Sequence, residues 1–486
     1  MLDDMLASIA HRGPDDHGSY SDGDVYLGHR RLSILDLSSA GRQPLCNEDR
    51  TVWITFNGEI YNFAPLTARL KALGHRFVSG TDTEVIVHAY EQWGLDCLEH
   101  LLGMFAFALW DSKALRLWVV RDRLGIKPLF YAQLPGGGLA FASEAKALHL
   151  LPETNQGIDF AALSYFLANN WTPAPHTLFA GIRQLRPGEQ IILDRGGEPR
   201  ISSYWDLRFD EGVHKPEKQW LSEFDELMTT VVQEHLKADV PFGAFLSGGL
   251  DSSAIVRWMS DILRQPVHTF SIGYKESSYD ETSYARRVAE SCNAEHLRVE
   301  MTAEDAHLLP QIVRHAEEPT ADSSMLSLWR LSQEARKHVT MVLTGDGADE
   351  LLAGYPTYPA RLAVLLYRAL PGLCRSAIAK GVSLLPASDR KMSLDMKLRR
   401  FVHGASHPPE DAHALWRIIF TREARRELLA PVRHMPGADA DMMDIYREYF
   451  RQTSSTDVPS SAWRRMNAIC ESVNRDFFMG KSSGSG

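Results

Sequence analysis

Two different patterns of apolar and polar residues follow one another along the chain. In the first two hundred residues, short apolar and β-branched runs alternate with turn residues, which is typical of strands. The pattern predicts strands at 51–56, 115–120, 128–133 and 139–142 and a helix at 66–73. It also predicts that Asn57-Gly58-Glu59 is a turn that ends the first strand. The apolar run 101–110 is predicted to be buried.

The second half alternates strands with helices. Strands are predicted at 242–246, 267–272 and 339–343, and helices at 254–263 and, more loosely, across 392–420. This alternation favours a parallel sheet covered on both faces. We place the boundary in the polar stretch 206–216, which gives two domains, 1–205 and 216–486. No internal repeat is present.

Composition and charge limit the classes of protein to which this chain can belong. A chain of 486 residues is too long for one core, and 44% hydrophobic with 23% charged residues is typical of a globular protein. The net charge of -10, without runs of Lys or Arg, argues against a nucleic-acid partner. The longest apolar run is too short for a bilayer, and no secretion signal is present. Five scattered cysteines fit neither a disulfide framework nor a zinc site, which favours a reducing cytoplasm.

The most specific local signal is a glycine loop between a predicted strand and a predicted helix, Ser247-Gly248-Gly249-Leu250-Asp251-Ser252-Ser253. Adjacent glycines allow the backbone to approach an anion, and the helix start offers unpaired N–H groups. The serines add hydroxyl donors. A plain turn with serine caps is the simpler interpretation of a bare Ser-Gly-Gly, but the full string indicates a pyrophosphate loop. Gly480-Lys481-Ser482 resembles the end of a Walker A loop, but Arg475 stands where the first glycine of that motif is required. We therefore predict that this segment is a disordered terminus.

A second acidic loop follows the last predicted strand, with the sequence Thr344-Gly345-Asp346-Gly347-Ala348-Asp349-Glu350. Loops at the carboxyl ends of parallel strands gather at one edge of a sheet, so this loop is predicted to face the first. Asp346 and Asp349, with Asp251, are then candidate Mg²⁺ ligands. Alternatively, the acidic residues only favour a helix N-terminus.

With these two loops, the second half resembles the synthetase domain of asparagine synthetases, whose second loop usually has serine where Thr344 stands. The resemblance implies a PP-loop α/β domain that binds ATP and Mg²⁺. It implies that Leu246, Ile272, Thr344 and Gly345 frame the adenine and ribose, and that Asp322, Ser323 and Ser324, in the loop 318–324, lie beside the substrate L-aspartate.

Four further strings stand in order in the first half: His11-Arg12-Gly13-Pro14-Asp15, Gly28-His29-Arg30-Arg31-Leu32-Ser33-Ile34, Asn57-Gly58-Glu59-Ile60-Tyr61-Asn62 and Gly80-Thr81-Asp82-Thr83-Glu84. Together they resemble the class II glutamine amidotransferase domain. The resemblance implies an N-terminal-nucleophile (Ntn) hydrolase fold, an αββα sandwich, over nearly all of residues 1–205.

The same resemblance implies residue roles in a glutaminase site. Arg31 would bind the α-carboxylate of L-glutamine, and Glu59 and Asp82 its α-ammonium. The Asn57 side chain and the Gly58 N–H would stabilise an oxyanion. Taken singly, Asn-Gly-Glu is more often a turn and Asp82 a helix cap.

The sequence departs from the family at both ends. The family uses an N-terminal cysteine as nucleophile, but the chain opens Met1-Leu2-Asp3 and has no cysteine before Cys46. Cys46 is interpreted as an ordinary buried thiol. The first strand of the sandwich is absent too, and neither the family's catalytic-lysine segment nor the segment after it follows Asp349. We therefore expect a chain that is incomplete at both ends and does not hydrolyse glutamine.

Three hypotheses remain. The first is an ATP-dependent asparagine synthetase that forms β-aspartyl-AMP and amidates it with ammonia from L-glutamine or from solution. The second is a relative that activates another carboxylate, as β-lactam synthetases do, which also lack the cysteine. The third is a nucleotide-binding pseudoenzyme. The intact glutamine-site residues favour the first, and the resemblance permits a cytoplasmic homodimer.

Overall fold

The computed structural model describes residues 1–207, 215–316, 320–352, 354–355, 357–386 and 393–453. Most of the predicted domain boundary, residues 318–319 of the predicted aspartate loop, and the Gly480-Lys481-Ser482 segment lie outside these ranges. The division into domains 1–205 and 216–486 therefore stays a prediction.

The first half is rich in strands. Its strands are β1 (Asp16–Asp22), β2 (Val25–Arg31), β3 (Leu45–Cys46), β4 (Val52–Ile60), β5 (Gly103–Asp111), β6 (Arg116–Arg121), β7 (Phe130–Leu134), β8 (Gly138–Ala142), β9 (Arg183–Gln184), β10 (Glu189–Asp194) and β11 (Arg200–Ser203). Its helices are α1 (Leu2–Ser8), α2 (Phe63–Ala72), α3 (Asp82–Trp93), α4 (Ala145–Leu148) and α5 (Phe160–Asn169).

A six-stranded antiparallel sheet in the order β11-β10-β6-β5-β4-β3 is the centre of this half. Strand β5 explains why the run 101–110 is apolar throughout. Because alternate side chains of a strand point to opposite faces, Phe105 and Phe107 pack towards α2 and α3, whereas Ala106 and Trp110 pack on the other face. The sheet is therefore buried on both sides around β5.

A second β layer covers the other face of this sheet. It consists of two pieces, the β1–β2 hairpin and the sheet β8-β7-β9, which are not hydrogen-bonded to each other in the described chain. Leu27 of β2 and Tyr131 of β7 pack with Ala106 and Val119 of the large sheet. On the outside, α1 and α4 cover this layer through Met5, Ala145 and Leu148. The order helix, sheet, sheet, helix confirms the predicted αββα sandwich.

One local prediction in this half is wrong. Asn57-Gly58-Glu59 does not form a turn but continues β4, where these residues pair with Ala106, Phe105 and Met104 of β5. The complementary β5 strand overrides the turn propensity of Asn-Gly. The predicted strands and the helix at 66–73 are confirmed, with shifts of at most three residues at their ends, apart from the extension of the first strand to Ile60.

The second half contains one four-stranded parallel sheet among its described residues. Its strands are β12 (Phe242–Phe245), β13 (His268–Gly273), β14 (Glu295–Glu300) and β15 (Met341–Leu343), in the order β14-β13-β12-β15. Helix α6 (Glu217–His235) precedes these strands and α11 (Ala348–Leu352) follows them. The helices between them are α7 (Leu250–Leu263), α8 (Thr282–Ser291), α9 (Leu309–Ala316) and α10 (Ser324–Ala335). Apolar clusters lie on both faces of the sheet, which confirms the predicted architecture.

Only helices follow in the described remainder of the chain. They are α12 (Thr357–Ala369), α13 (Gly372–Ser383), α14 (Leu394–Ala405), α15 (Pro409–Arg417), α16 (Arg422–Leu428) and α17 (Met442–Thr453). The helical stretch predicted at 392–420 is divided in two, because Pro408 and Pro409 end the first helix and start the second. None of the described helices combines the length and apolar character needed to traverse a bilayer.

The two halves contact each other in several places among the described residues, including an edge contact between the His11 and His315 rings, whose centroids are 4.9 Å apart. Helix α5 packs on the terminal helices, where Ala168 lies among Met442, Met443 and Tyr446. Nearer the predicted glutamine site, the Asp239 N–H donates to the Ile34 carbonyl at 2.9 Å, and the Asp239 carboxylate accepts the Asp36 N–H at 2.9 Å. The Tyr61 and His235 rings stack with centroids 3.8 Å apart.

Candidate active site

The two predicted glycine loops lie side by side. Strand β12 leads into the first loop and β15 into the second, and these strands are parallel neighbours in the sheet. A Cβ atom placed on Gly345 would lie 2.7 Å from the Ser252 backbone nitrogen and 2.9 Å from the Asp251 Cβ atom. The loops therefore touch each other through Gly345, at the carboxyl edge of the sheet.

Gly248 gives the first loop its shape. It has a φ of +87°, which residues with a Cβ atom rarely adopt. A Cβ atom there would also lie 2.7 Å from the Ala285 backbone nitrogen and from the Tyr284 Cβ atom. Helix α8 thus presses on the loop, and only glycine fits both the conformation and the space.

The loop serines are hydrogen-bonded within the loop. The Ser253 hydroxyl donates to the Gly249 carbonyl at 2.6 Å, and the Ser252 hydroxyl accepts the Ser247 N–H at 3.2 Å. The Ser247 hydroxyl accepts the Gly249 N–H at 3.2 Å. The Ser253 hydroxyl must give up its bond to Gly249 before it can donate to an anion, whereas the helix start at Leu250, which is 89% exposed, is open to solvent.

The predicted adenine-framing residues fall into two groups. Leu246 is buried in the apolar cluster beneath α7, and Ile272 packs against the cluster on the opposite face of the sheet. Their side chains are therefore part of the core, which leaves main-chain atoms to meet a ligand. Thr344, in contrast, has a polar side chain, and its hydroxyl donates to the Asp346 carboxylate at 2.8 Å.

Two of the three predicted metal ligands come together. Partial burial, followed by the negative charge of Asp251, raises the pKa of the Asp349 carboxyl above its usual value. Two neighbouring carboxylates with this mutual repulsion fit a divalent cation, since a cation between them would relieve it. Asp346 is exposed on the same loop as Asp349 and accepts the Thr344 hydroxyl.

The predicted aspartate-binding residues start helix α10. Asp322 accepts the Ser324 N–H at 2.8 Å, and Ser323 immediately precedes the helix. The Ser324 hydroxyl is buried and has no hydrogen-bond partner among the described residues. A buried hydroxyl without a partner is costly, so it fits a polar ligand group.

Arg31 is fixed in the first half by main-chain oxygens. Its guanidinium donates to the carbonyls of Ser38 at 3.0 Å, Leu35 at 3.2 Å and Asp36 at 2.5 Å. The side chain is buried and its guanidinium is hydrogen-bonded to main-chain oxygens, while its charge also contributes to lowering the pKa of the Asp36 carboxyl, after hydrogen bonds from Ser38 and Gly80. A buried guanidinium held by neutral groups keeps its charge for an anionic ligand.

The short strand β3 pairs only with Trp53 and Ile54, so beyond them one edge of β4 is free, and Gly58 lies along this edge. The Tyr61 N–H donates to Leu102 beyond the end of β5, so N–H groups at odd positions face β5 and those at even positions face away from it. Accordingly, the Phe56 N–H reaches Gln43 and the Ile60 N–H reaches Asp82. The Gly58 N–H points to the same edge between them.

The Asn57 side-chain NH₂ is buried with no hydrogen-bond partner in the described chain. It therefore has an unsatisfied donor near the free strand edge that carries the Gly58 N–H. Two donors in this arrangement are suited to binding a developing oxyanion.

Glu59 and Asp82 form an acidic pair in which Asp82 is buried and Glu59 is half-buried. Burial raises the pKa of Asp82 to about 6, although the Ile60 N–H that it accepts at 2.7 Å acts in the opposite direction. Burial, and then the charge of Asp82, raises the pKa of Glu59 well above its usual value. Lys127 partly offsets both shifts. Such a pair gains most from a cationic ligand group.

One continuous cavity of about 1310 Å³ connects the two regions. Its lining includes the predicted glutamine-site residues and part of the second acidic loop, namely Arg31, Asn57, Gly58, Glu59, Asp82, Thr344 and Asp346. No cysteine of the described chain lines it. Cys46 is half-buried in β3, and burial raises the pKa of its thiol, so it is not an activated nucleophile.

Some cavity residues were not predicted. Tyr61 and His235 stack on one another between the two regions, but they are distant in the sequence and no motif links them. Lys127, beside the acidic pair, could have been recognised only weakly from the sequence, because it is the single charged residue in the apolar stretch 124–130. Lys127 is half-buried, and a lysine removed from solvent is usually paired with an acid.

Comparison with known proteins agrees with this arrangement. The model of the glutamine amidotransferase domain matches residues 1–205, and that of asparagine synthase matches residues 223–467. The Bacillus subtilis (strain 168) protein asparagine synthetase [glutamine-hydrolyzing] 1 is 33% identical over 94% of this chain and 70% of its own length.

Two further relatives carry similar names. A putative asparagine synthetase [glutamine-hydrolyzing] of Mycobacterium bovis is 38% identical over 79% of this chain and 61% of its own length. A putative asparagine synthetase [glutamine-hydrolyzing] 2 of Methanocaldococcus jannaschii is 35% identical over 77% of this chain and 76% of its own length. The alignments thus span 61% to 76% of these three relatives. The chain belongs to the glutamine-hydrolysing asparagine synthetases, a family of ATP-dependent amide-forming ligases.

Proposed function

We propose that this chain binds ATP with Mg²⁺ between its two glycine loops, activates the side-chain carboxylate of L-aspartate and forms L-asparagine with ammonia. The observation that carries this proposal is the contact of the two loops at Gly345. It brings Asp251 and Asp349 together beside the N-terminus of the 14-residue helix α7. This arrangement combines N–H donors and carboxylates, which a magnesium–triphosphate complex needs.

The chain's own groups position the nucleotide. The N–H groups at the start of α7 and the glycine backbone receive the phosphates, Thr344 and Gly345 frame the ribose, and Asp251, Asp349 and Asp346 hold the metal. Bound Mg²⁺ would supply charge neutralisation on the phosphate oxygens. Because Leu246 and Ile272 are core residues, the adenine contacts come from their main chain.

The reaction has two displacements. A carboxylate oxygen of aspartate forms a bond to the α-phosphorus as the bond to the β-phosphate oxygen breaks and pyrophosphate leaves. Ammonia then forms a bond to the acyl carbon, AMP leaves with the acyl oxygen, and the nitrogen loses a proton. Asp322, Ser323 and Ser324 orient the amino acid, and the unpartnered Ser324 hydroxyl provides one hydrogen bond. Charge neutralisation and in-line positioning together are expected to account for most of the rate gain in such a step.

The first half contains charged and polar groups that complement those of L-glutamine. Arg31 receives the α-carboxylate of L-glutamine, Glu59 and Asp82 receive its α-ammonium, and Asn57 and Gly58 face the amide oxygen. Since no described cysteine lines the cavity, the proposed nitrogen source for the chain as written is ammonia from solution. If ammonia were instead released from L-glutamine in the first half, the cavity that joins the two regions would conduct the ammonia to the glycine loops.

The adenylation proposal is tested by pyrophosphate release from ATP in the presence of Mg²⁺, L-aspartate and ammonium chloride. Asp251→Asn removes a ligand charge and is expected to reduce release by about 100-fold or more, the effect of losing one preorganised electrostatic group. Asp261→Asn is the matched control, because Asp261 lies on the same helix and pairs with Arg257 on the surface. Equal rates for Asp251→Asn and the wild type would remove Asp251 from the site.

Replacing L-aspartate by other carboxylic acids in the same assay separates asparagine synthesis from activation of a different acceptor. Pyrophosphate release with another acid alone would favour the β-lactam-synthetase-like alternative. Binding of ATP in calorimetry without release for any acid would indicate a pseudoenzyme. The proposed homodimer is tested separately by sedimentation equilibrium of the whole chain, and the cytoplasmic location by fractionation of the cells that make it.

The nitrogen source is tested by measuring glutamate. With L-glutamine in place of ammonium chloride, the chain is expected to release no glutamate, whereas ammonium chloride supports asparagine formation. Measurable glutamate would show that another group acts as the nucleophile.

A further inference from the structure

A cluster of three side chains that can bind a metal lies at helix α3, away from both sites. His75 follows α2, and His88 and Glu91 are one turn apart on α3. One potential ligand atom from each of these residues lies within 4.8 Å of the other two. The Glu91 Oε2 atom lies 2.7 Å from the His88 Nδ1 atom and 3.6 Å from the His75 Nδ1 atom. Both imidazoles thus direct the same nitrogen towards one carboxylate oxygen.

The remaining atoms of these side chains have their own partners or neighbours. The His75 Nε2 atom lies 3.1 Å from the Gln92 side-chain oxygen, and the Glu91 Oε1 atom accepts the Asn47 amide at 2.7 Å. In protein metal sites, such outer contacts orient each ligand and fix the imidazole tautomer.

The second ring nitrogen of His88, which lies in the interior, also has a neighbouring side chain that can orient it. The His88 side chain is 1% exposed, and its Nε2 atom has no hydrogen-bond partner in the described chain but lies 3.5 Å from the Glu84 Oε1 atom. Glu84 is itself fixed, since it accepts the N–H groups of Val78 and Ser79. A carboxylate behind a histidine is the common outer contact of a metal-bound imidazole.

We propose that His75, His88 and Glu91 bind a Zn²⁺ ion through two Nδ1 atoms and one carboxylate oxygen, with solvent as the fourth ligand. Two imidazoles and a carboxylate are a ligand set that zinc accepts, and tetrahedral bonds of about 2 Å require ligand atoms about 3.3 Å apart. The two separations from the Glu91 Oε2 atom, 2.7 and 3.6 Å, lie on either side of that value, and one potential ligand atom of each residue lies within 4.8 Å of the other two. His75 and Glu91 are 16% and 25% exposed, so the ion is reached from solvent.

The site would fasten the loop between α2 and α3 to α3 itself. That helix begins at Asp82, which accepts the Ile60 N–H at the glutamine-like pocket. The contribution of the ion is to hold the helix and the preceding loop together, and it takes no part in the proposed ligase chemistry. This inference is independent of the proposed function.

The competing interpretation is an ion pair without a metal. Although burial opposes it, the interactions with Glu84 and Glu91 raise the pKa of His88 to about 9, which describes a protonated imidazole between two carboxylates. A metal must displace this proton. The two interpretations therefore differ in whether the whole chain takes up zinc.

Zinc uptake is measured by isothermal titration of the whole chain with ZnCl₂ after treatment with EDTA and buffer exchange. We expect one site per chain, with an affinity reduced at least tenfold in His75→Ala and in Glu91→Gln. Co²⁺ bound in its place is expected to show the visible absorption of a four-coordinate ion. Zn²⁺ is also expected to raise the melting temperature of the wild type but not of these variants, because it binds only the folded state.

Two controls separate the site from other zinc-binding groups. His17→Ala removes an exposed histidine of the same domain, and Glu48→Gln removes a nearby negative charge that is not a ligand. Both are expected to bind zinc as the wild type does. Glu91→Gln retains the shape of the side chain, so loss of binding there is not a loss of fold. No stoichiometric uptake, or equal affinity in all variants, would overturn the proposal.

Discussion

The glutamine-like pocket and the pair of glycine loops hold their polar groups in opposite ways. In the pocket, charged side chains are buried and fixed by main-chain groups: Arg31 by three loop carbonyls and Asp82 by the N–H of Ile60. At the loops, the backbone is held by close contacts at glycines, and the side chains remain partly or fully open, as at Asp346 and Leu250.

This difference separates two ways of building a site. Buried charges cost stability before the ligand arrives, but they need no rearrangement when it binds. The loops keep most of their charge near solvent, and their geometry depends on backbones that only glycine permits. Substitutions in the pocket should therefore act through charge and pH, and substitutions in the loops through space.

The largest effect is expected for Gly345→Ala, which tests whether contact between the loops is needed. The new Cβ atom would lie 2.7 Å from the Ser252 backbone nitrogen, so the loops must separate. Displacement of reacting groups by about 1 Å can cost about 100-fold in rate, and we expect a loss of pyrophosphate release of at least this size. Gly372→Ala is the control, because nothing in the described chain lies within 4 Å of its Cβ position. Normal release by Gly345→Ala would show that the loops act separately.

Next in size is the effect of Gly248→Ala on stability. The positive φ costs about 1–2 kcal/mol, and the close approach of helix α8 adds about 1–3 kcal/mol. Gly249→Ala is the matched control within the loop, since Gly249 has a φ of -70° and its nearest neighbour is the rotatable Ser247 hydroxyl at 3.3 Å. Urea unfolding of both variants measures the difference. Equal destabilisation would mean that space at Gly248 is not limiting.

Periodicity and motif context predicted the framework of both regions. The apolar strands β12, β13 and β15 and the helix α7 could be recognised because buried parallel strands and amphipathic helices leave simple patterns. The juxtaposition of Asp251 and Asp349 followed from one rule, that loops at the carboxyl ends of parallel strands share an edge. These features depend on local residues and on general topology.

Features that depend on tertiary contacts could not be predicted. Asn57-Gly58-Glu59 is a turn by local propensity, but pairing with β5 makes it a strand and thereby aligns the Gly58 N–H with the pocket. The Tyr61–His235 stack joins residues from different halves. The carbonyls that hold Arg31 come from a loop whose side chains carry no signal for this role.

Arg31→Lys tests the rigidity of the pocket. A lysine ammonium cannot keep the three carbonyl contacts of the planar guanidinium, so we expect a destabilisation of about 2 kcal/mol, typical of lost hydrogen bonds to a charged group. Binding of L-glutamine, measured by calorimetry, is expected to weaken at least tenfold. Arg42→Lys is the control, because Arg42 is exposed and donates to the His17 carbonyl on the surface. Unchanged glutamine affinity in Arg31→Lys would exclude Arg31 from the carboxylate contact.

The smallest effect, and the one most specific to buried charge, is the pH dependence of Asp82→Asn. The pKa of Asp82 is raised from 3.8 to about 6 in the folded state, so the folded protein binds more protons than the unfolded chain between these values. Stability of the wild type therefore falls as the pH rises from about 4 to 6, and the penalty is complete above pH 6, at about 1–3 kcal/mol.

An asparagine at this position carries no charge, and its side-chain oxygen can still accept the Ile60 N–H. The Asp82→Asn variant should thus be more stable than the wild type at pH 8 by about 1–2 kcal/mol, and the two should converge near pH 4. Asp96→Asn, on the exposed surface of the same domain, should show no such dependence. Urea midpoints at pH 4, 6 and 8 give the comparison. A stability difference between Asp82→Asn and the wild type that stays constant across this range would mean that Asp82 is not desolvated. The pocket would then not hold buried charges at a cost in stability, and the proposed difference between the pocket and the loops would be wrong.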